Sequence, residues 1–239
     1  MKVFSLIALA LLGLAGFAQN AEEIMDKAAK AMGAAGAKDV KTMYMSGNAT
    51  MPGGITADMT IYHKEGGKIL VKTKVNAPGM NLEMTQGCDG SDCYSKDPNF
   101  GTRLLEGQEK EMMLMQNDPK GQLDWRNFFS KIDYVGDGEV KGQKVHKIKV
   151  ETAGGMTMTN AYDAKSFILL QSEGTNESPM GAIDFTMFFK DYKDVYKGML
   201  LPMRTDASML NQTMQMTIDK VEVNIDIPDS KFALPAGLK

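Results

Sequence analysis

Between Thr42 and Ile225 apolar and polar residues alternate in short runs, and a period of two is the signature of a strand with one buried face. Met43 and Met45 oppose Thr42, Tyr44 and Ser46, and Ala57, Met59 and Ile61 oppose Asp58, Thr60 and Tyr62. Ile69, Val71 and Val75 oppose Lys68, Lys72 and Lys74, and Met80, Leu82 and Met84 oppose Asn81, Glu83 and Thr85. Further on, Met156 and Met158 oppose Thr157 and Thr159, while Ile183, Phe185, Met187 and Phe189 oppose Asp184, Thr186 and Lys190. One polar and one apolar face predicts an antiparallel sheet that is wet on one side. In the last run Met214, Met216 and Ile218 share one parity, and Val221, Val223 and Ile225 share the other. One extra residue near Asp219-Lys220 reconciles them, which predicts a β-bulge or sharp bend there.

The period changes to that of a helix in three places. Asn20 with Glu23 forms a capping pair ahead of Ile24, Ala28, Ala31, Met32 and Ala35, predicting a helix over 21–32 that Gly33 and Gly36 end. Leu105, Gln108, Met112 and Met115 form a weak stripe. Trp125, Phe128, Phe129 and Ile132 form a strong one, with Asp124 as its N-cap, and Asp118-Pro119-Lys120-Gly121 makes a turn between the two. This middle pair reads either as a lid over a cavity or as a helix packed on the sheet. Asp133 to Glu139, acidic and glycine-rich, reads as a hairpin turn, since it lacks the alternating ligands of a calcium loop.

Composition sharpens the picture at one point. The chain has 21 methionines, and most strand methionines share a face with Ile, Val or Phe. Methionine is unbranched and conforms to irregular apolar shapes. Such a face is either compliant core or a compliant cavity for a ligand of no fixed shape, such as an acyl chain. The expected cavity residues are Met43, Met45, Met59, Ile61, Ile69, Val71, Leu82, Met84, Met156, Met158, Phe185, Met187, Met214 and Met216, with Trp125, Phe128, Phe129 and Ile132 as the lid.

Met1-Lys2 followed by the apolar run Val3 to Phe17 reads as a secretory signal peptide, residues 1–18, with cleavage after Ala18. No cysteine adjoins that point, so no N-terminal lipidation is expected. The run is short for a membrane span, and a soluble exported product follows. Without Lys2 the chain has 26 basic and 30 acidic residues, a formal charge of −4, which does not favour nucleic acid. No linker interrupts 19–239, so a single domain is expected there. Cys88 and Cys93, five apart around Asp89-Gly90, read as a disulfide clipping a turn in an oxidising compartment.

Several segments then resemble one family. Ala21-Glu22-Glu23-Ile24, the turn Gly87-Cys88-Asp89-Gly90, the stretch from Asp191 to Pro202, and the ending Asp219-Lys220-Val221-Glu222-Val223-Asn224 through Ile227-Pro228-Asp229-Ser230-Lys231-Phe232-Ala233-Leu234-Pro235 are similar to less-studied branches of the periplasmic lipoprotein carrier and outer-membrane lipoprotein-sorting family. The resemblance implies a mainly β (α+β) fold. It would be a curved, unclosed antiparallel half-barrel of about 10–11 strands, with an N-terminal helix and a helical lid on its concave side. It also implies a periplasmic carrier for a lipid or lipoprotein acyl chain, with a membrane-bound protein as a further partner. Family carriers are associated with a cavity arginine, and no residue here takes that place. Arg103, Arg126 and Arg204 are the candidates, each more simply a surface or strand-edge cation.

Other chemistry has little support. His63 and His146 stand in no metal-ligand spacing, no Gly-x-Ser-x-Gly elbow occurs, and 33–38 lacks the Ser/Thr of a phosphate loop. No enzyme, metal or cofactor is therefore expected, and the protein is expected to act as a monomer. Two alternatives stand beside the carrier: an envelope sensor or scaffold that binds a protein partner, and a Cu(I)-binding protein using thioether pairs.

Overall fold

The computed structural model describes residues 21–77, 79–121, 123–178, 181–209 and 212–238, so the expected signal peptide and the Asn20 cap lie outside the described residues. Among those described, thirteen strands form one antiparallel sheet. Six come first: β1 (Thr42–Met51), β2 (Ile55–Lys64), β3 (Lys68–Ala77), β4 (Met80–Asp89), β5 (Cys93–Asp97) and β6 (Gly101–Leu105). Seven follow: β7 (Phe129–Val140), β8 (Gln143–Thr152), β9 (Thr157–Asp163), β10 (Leu169–Ser178), β11 (Gly181–Tyr196), β12 (Met199–Met209) and β13 (Gln212–Val223). Their order across the sheet is β6-β5-β4-β3-β2-β1-β13-β12-β11-β10-β9-β8-β7. The chain runs outward to β6, crosses to the opposite edge, and returns strand by strand until β13 pairs with β1. The free edges are thus β6 and β7, and the segment between them joins both.

The sheet wraps around its helices. One hydrophobic cluster unites α1 (21–31) with Met43 of β1, Phe185 of β11 and Ile148 of β8. Strands β1 and β8 are six steps apart in the sheet, roughly 29 Å if flat. One cluster spanning that width around helices about 10 Å across fits a sheet that curls around them. The N-terminal helix ends at Gly33, which is left-handed at φ 85 and where a Cβ would lie 2.0 Å from the Gly198 carbonyl oxygen; Gly36, also expected to end it, lies instead within a second short helix, α2 (Ala34–Ala37). Leu200 N–H closes the joint by donating to Met32 O at 3.0 Å.

The parity change in the last strand is a bulge. Ser46 pairs with Lys220 and Gly47 with Ile218, leaving Asp219 as the extra residue. The strands approach so closely there that a Cβ on Gly47 would meet Thr217 O at 1.9 Å.

Three expectations need correction. The strands number thirteen, not ten or eleven, because β5 and β6 are five residues each and too short to show alternation. The stripe from Trp125 to Ile132 is not one helix. Only α4 (Trp125–Phe128) is helical, and Phe129 and Ile132 belong to β7. Aromatic and β-branched residues suit a strand as well as a helix face, so four of them at i, i+3, i+4, i+7 did not discriminate. Asp133 to Glu139 is likewise inside β7, bulged at Tyr134/Gly136, and the turn is Lys141-Gly142, where both residues have positive φ.

Cys88 and Cys93 are direct cross-strand partners and form a disulfide. Asp89 shapes the turn between them, its Oδ1 accepting from the backbone N–H groups of Ser91 (2.9 Å) and Asp92 (3.0 Å). Those amides hold its carboxyl below the usual carboxylate range. Replacing both cysteines with alanine is expected to lower stability by about 2 kcal/mol, measured as a drop in the urea midpoint. An unchanged midpoint would mean that the clip constrains nothing.

The other sheet face bears charged residues beside two small apolar clusters, Leu70 with Ile227 and Phe232, and Val140 with Val145 and Ala161. Its best-connected acid is Asp206, which accepts from Lys190 and from Arg204 Nε at 3.0 Å. Lys190 above all, then Arg204 and Gln215, hold its pKa at about 2. A depressed acid stabilises the fold above its unfolded pKa and stops doing so as pH falls through the folded value. Asp206→Asn should therefore flatten the acid unfolding curve between roughly pH 4 and pH 2, by at most about 1 kcal/mol because the group is partly solvated. An acid limb identical to that of the wild type would contradict this.

Candidate functional site

Strand register shows which side chains share a face, since directly opposed residues point the same way. Met45 opposes Ile61, which opposes Val71; His63 opposes both Met43 and Ile69. Met59 opposes Gly47 and Thr73, Thr73 opposes Met84, and Val75 opposes Leu82. On the other side of β1, Met216 opposes Ala49, and Ala207 lies between Met214 and Met187. Phe185 opposes Gly174, which opposes Met158, and Met156 precedes it by two. All fourteen expected cavity residues thus stand on one face, the concave one.

That face is divided. In one part the protein fills its own concavity: Ile24, Met25 and Ala28 of α1, with Met32 just after it, pack in one cluster with Met43, Met45, Met156, Met158 and Phe185. Met113 of α3 (Gly107–Asn117) covers Ile69, Val71 and the disulfide, with its Sδ 3.5 Å from Cys88 Sγ. The other part lies outside the core clusters of the described residues. Met59, Leu82, Met84, Met214 and Met216 are half-buried and belong to no core cluster, while Ile61 and Met187 lie at the boundary. Between them Ala49 and Ala57 are adjacent partners, each only 2% exposed, so the longer side chains around them close over this point. The result is a half-buried apolar strip surfaced by Met59, Leu82, Met84, Met214 and Met216, running toward the β1–β2 and β12–β13 turns.

The segment joining the two sheet edges closes the filled part and is tied down by polar contacts. Trp125 is buried, its Nε1–H donating to Asp26 Oδ1 at 3.1 Å. Arg126 grips the same carboxylate with both terminal nitrogens (2.5 and 3.0 Å), and its guanidinium lies 4.0 Å from the Trp125 ring centroid. Arg126, aided by Trp125, holds the Asp26 carboxyl below its usual range. Farther back, Thr152 Oγ1 donates to Glu111 at 2.6 Å, Lys120 donates to Val40 O, and Asp118 Oδ1 lies 3.3 Å from His63 Nε2. Phe128 is half-buried against the same cluster, with Ile132 beside it on β7.

The three arginines all meet carboxylates: Arg103 on edge strand β6 pairs with Glu109, Arg126 with Asp26, and Arg204 with Asp206. Sequence reading missed the buried polar residues inside the concave core. Ser172 Oγ donates to Asn160 Oδ1 at 2.6 Å, and Asn160 Nδ2 donates to Tyr162 OH at 3.3 Å. Burial pushes the Tyr162 hydroxyl pKa up. His63 is 3% exposed, and its Nδ1 meets no hydrogen-bond partner among the described residues. The available signal was parity: His63 and Asn160 occupy inward positions in their strands. His146 also has inward parity, opposite Tyr162, with Nδ1 2.5 Å from Asp137 and its ring stacked on Phe167. Among the described residues no three His, Cys, Asp or Glu side chains stand together as a metal site would require.

No family model and no curated protein sequence matches the chain. Solved structures do. An outer membrane lipoprotein-sorting protein domain from Vibrio parahaemolyticus superimposes with a TM-score of 0.62 at 11% identity, over 90% of this chain and 97% of that one. A LolA superfamily protein from Nitrosomonas europaea gives 0.58 at 12% identity, over 90% and 97%. This is the LolA-type fold. A DUF1329 family protein from Desulfovibrio piger shares it, at 0.61 and 12% identity over 89% and 97% of the two chains. Identity this low carries the LolA-type architecture and not its ligand. No helix among the described residues is long and apolar enough to cross a membrane.

Proposed function

We propose that the protein is a periplasmic carrier or binding protein that shelters an acyl chain of a lipid or lipoprotein on the half-buried strip of its concave face. The observation that carries the reading is that strip. Met59, Leu82, Met84, Met214 and Met216 stand half-buried around Ala49 and Ala57, outside the core clusters that α1 and α3 build. An apolar surface of this kind is stabilised by whatever apolar chain covers it. Thioether side chains adapt to chains of different length and kink. The LolA-type fold supports the reading, because proteins described as lipoprotein-sorting share it. The export signal at residues 1–18 fits it as well, and a membrane-bound protein would supply or receive the chain. Function of this kind needs no catalytic group or cofactor. Titration of the exported protein with a fluorescent fatty acid tests it: saturable uptake is expected, and no uptake at any protein concentration would sink the proposal.

A further inference from the structure

The chain presents its oxidisable sulfur as thioether. Its only two cysteines, Cys88 and Cys93, are joined in a buried disulfide, and all its other sulfur belongs to 21 methionines. The disulfide fits an oxidising compartment, where peroxide is met without a thiol buffer.

Access divides these methionines. Met25, Met43, Met156 and Met199 are at most 2% exposed. Met59, Met84, Met214 and Met216 are half-buried, and with Leu82 they form the surface of the strip. Register groups them as two pairs: Met59 and Met84 face Thr73 from either side, while Met214 and Met216 stand two apart on β13. The thioethers that solvent reaches on this face are thus the ones that an acyl chain would cover. Oxidation turns a flexible apolar side chain into a polar, chiral sulfoxide. A sulfoxide oxygen pressed against an acyl chain loses its hydration, and that cost falls directly on binding.

We propose that Met59, Met84, Met214 and Met216 are a reversible oxidation site, through which peroxide converts the empty carrier to a form with weak acyl affinity. The inference rests on the carrier reading given above. In the step itself, a thioether sulfur attacks one oxygen of hydrogen peroxide, forming an S–O bond as the O–O bond breaks. The proton on the transferred oxygen passes to the departing hydroxide, which leaves as water. Sulfur is oxidised by two electrons and the peroxide is reduced. An occupied strip is shielded, so the oxidant acts on empty protein and blocks its reloading. Methionine sulfoxide reductases reverse the change.

Brief treatment of the folded protein with hydrogen peroxide, followed by peptide mass mapping, tests the site. The four strip methionines should gain oxygen at least about tenfold faster than Met25, Met43, Met156 and Met199, because susceptibility follows exposure. Affinity for a fluorescent fatty acid should fall at least about tenfold, with the far-UV circular dichroism spectrum unchanged, and the reductases should restore it. A saturating, non-fluorescent saturated fatty acid should slow oxidation of the four, while N-acetylmethionine in the same tube reacts at its usual rate. Met59→Leu/Met84→Leu/Met214→Leu/Met216→Leu, compared with its own untreated sample, should show no drop on treatment. The proposal is overturned if the four oxidise no faster than the buried methionines, or if the oxidised wild type keeps its affinity. It is equally overturned if uptake falls only as the dichroism spectrum is lost, or if the leucine variant loses as much uptake as the wild type. A wild type that takes up no fatty acid before treatment fails the carrier reading itself, and this inference with it, so the two failures are distinguishable.

Discussion

Trp125→Ala should cost about 3–5 kcal/mol of unfolding free energy, the largest loss expected from any single truncation in the connecting segment. The indole is 6% exposed and packs in the cluster that holds α1 against the sheet. It also donates to Asp26 and lies beneath the Arg126 guanidinium, so its loss removes packing, a charge-assisted hydrogen bond and a cation–π contact together. Trp125→Phe should recover most of the packing and retain a deficit of about 1 kcal/mol from the missing hydrogen bond. Because Trp125 is the only tryptophan, urea unfolding should be followed by far-UV circular dichroism. A loss below about 1 kcal/mol for the alanine variant would show that this segment lies loosely on the core and does not help to build it.

The second large effect concerns ligand affinity. Met214→Glu/Met216→Glu should weaken fluorescent fatty-acid binding by at least about tenfold, since a carboxylate buried against an acyl chain loses its hydration without a partner. Both positions are half-buried in the free protein, so the cost to stability should stay below about 1 kcal/mol. Met214→Leu/Met216→Leu should bind within about threefold of the wild type, because the shape and polarity of the strip survive. The same leucine pair separates the carrier from a Cu(I) site, since thioether coordination would not survive that exchange. Equal binding by the wild type and the glutamate pair would place the acyl chain elsewhere.

Much of this architecture was legible in the chain because strand alternation is a local property. The shared face of Met43, Ile61 and Phe185 follows from parity alone, and so does the bulge at Asp219, where the parity of Met216 and Val221 changes. Local signals failed where two structures suit the same residues. Phe128 and Phe129 are adjacent aromatics, yet one closes a helical turn and the other opens a strand. The division of the concave face was not legible at all. Met43 and Met216 are both inward methionines in alternating strands, but Met43 is fully buried and Met216 only half-buried. The difference is set by where α1 and α3 come to rest, which depends on contacts such as Trp125 with Asp26, 99 residues apart. The crossing from β6 to β7 is similarly a matter of topology, and it explains why the segment 106–128 must bridge both edges.

The central claim is that the half-buried strip, and no other surface, receives an acyl chain. Photocrosslinking with a fatty acid bearing a terminal diazirine, followed by peptide mass mapping, tests it most directly. The expected adducts fall on inward residues of the strip, at Met59, Leu82, Met84, Met214 or Met216. Adducts confined to the opposite face of the sheet, or none above an unfolded control, would contradict the account.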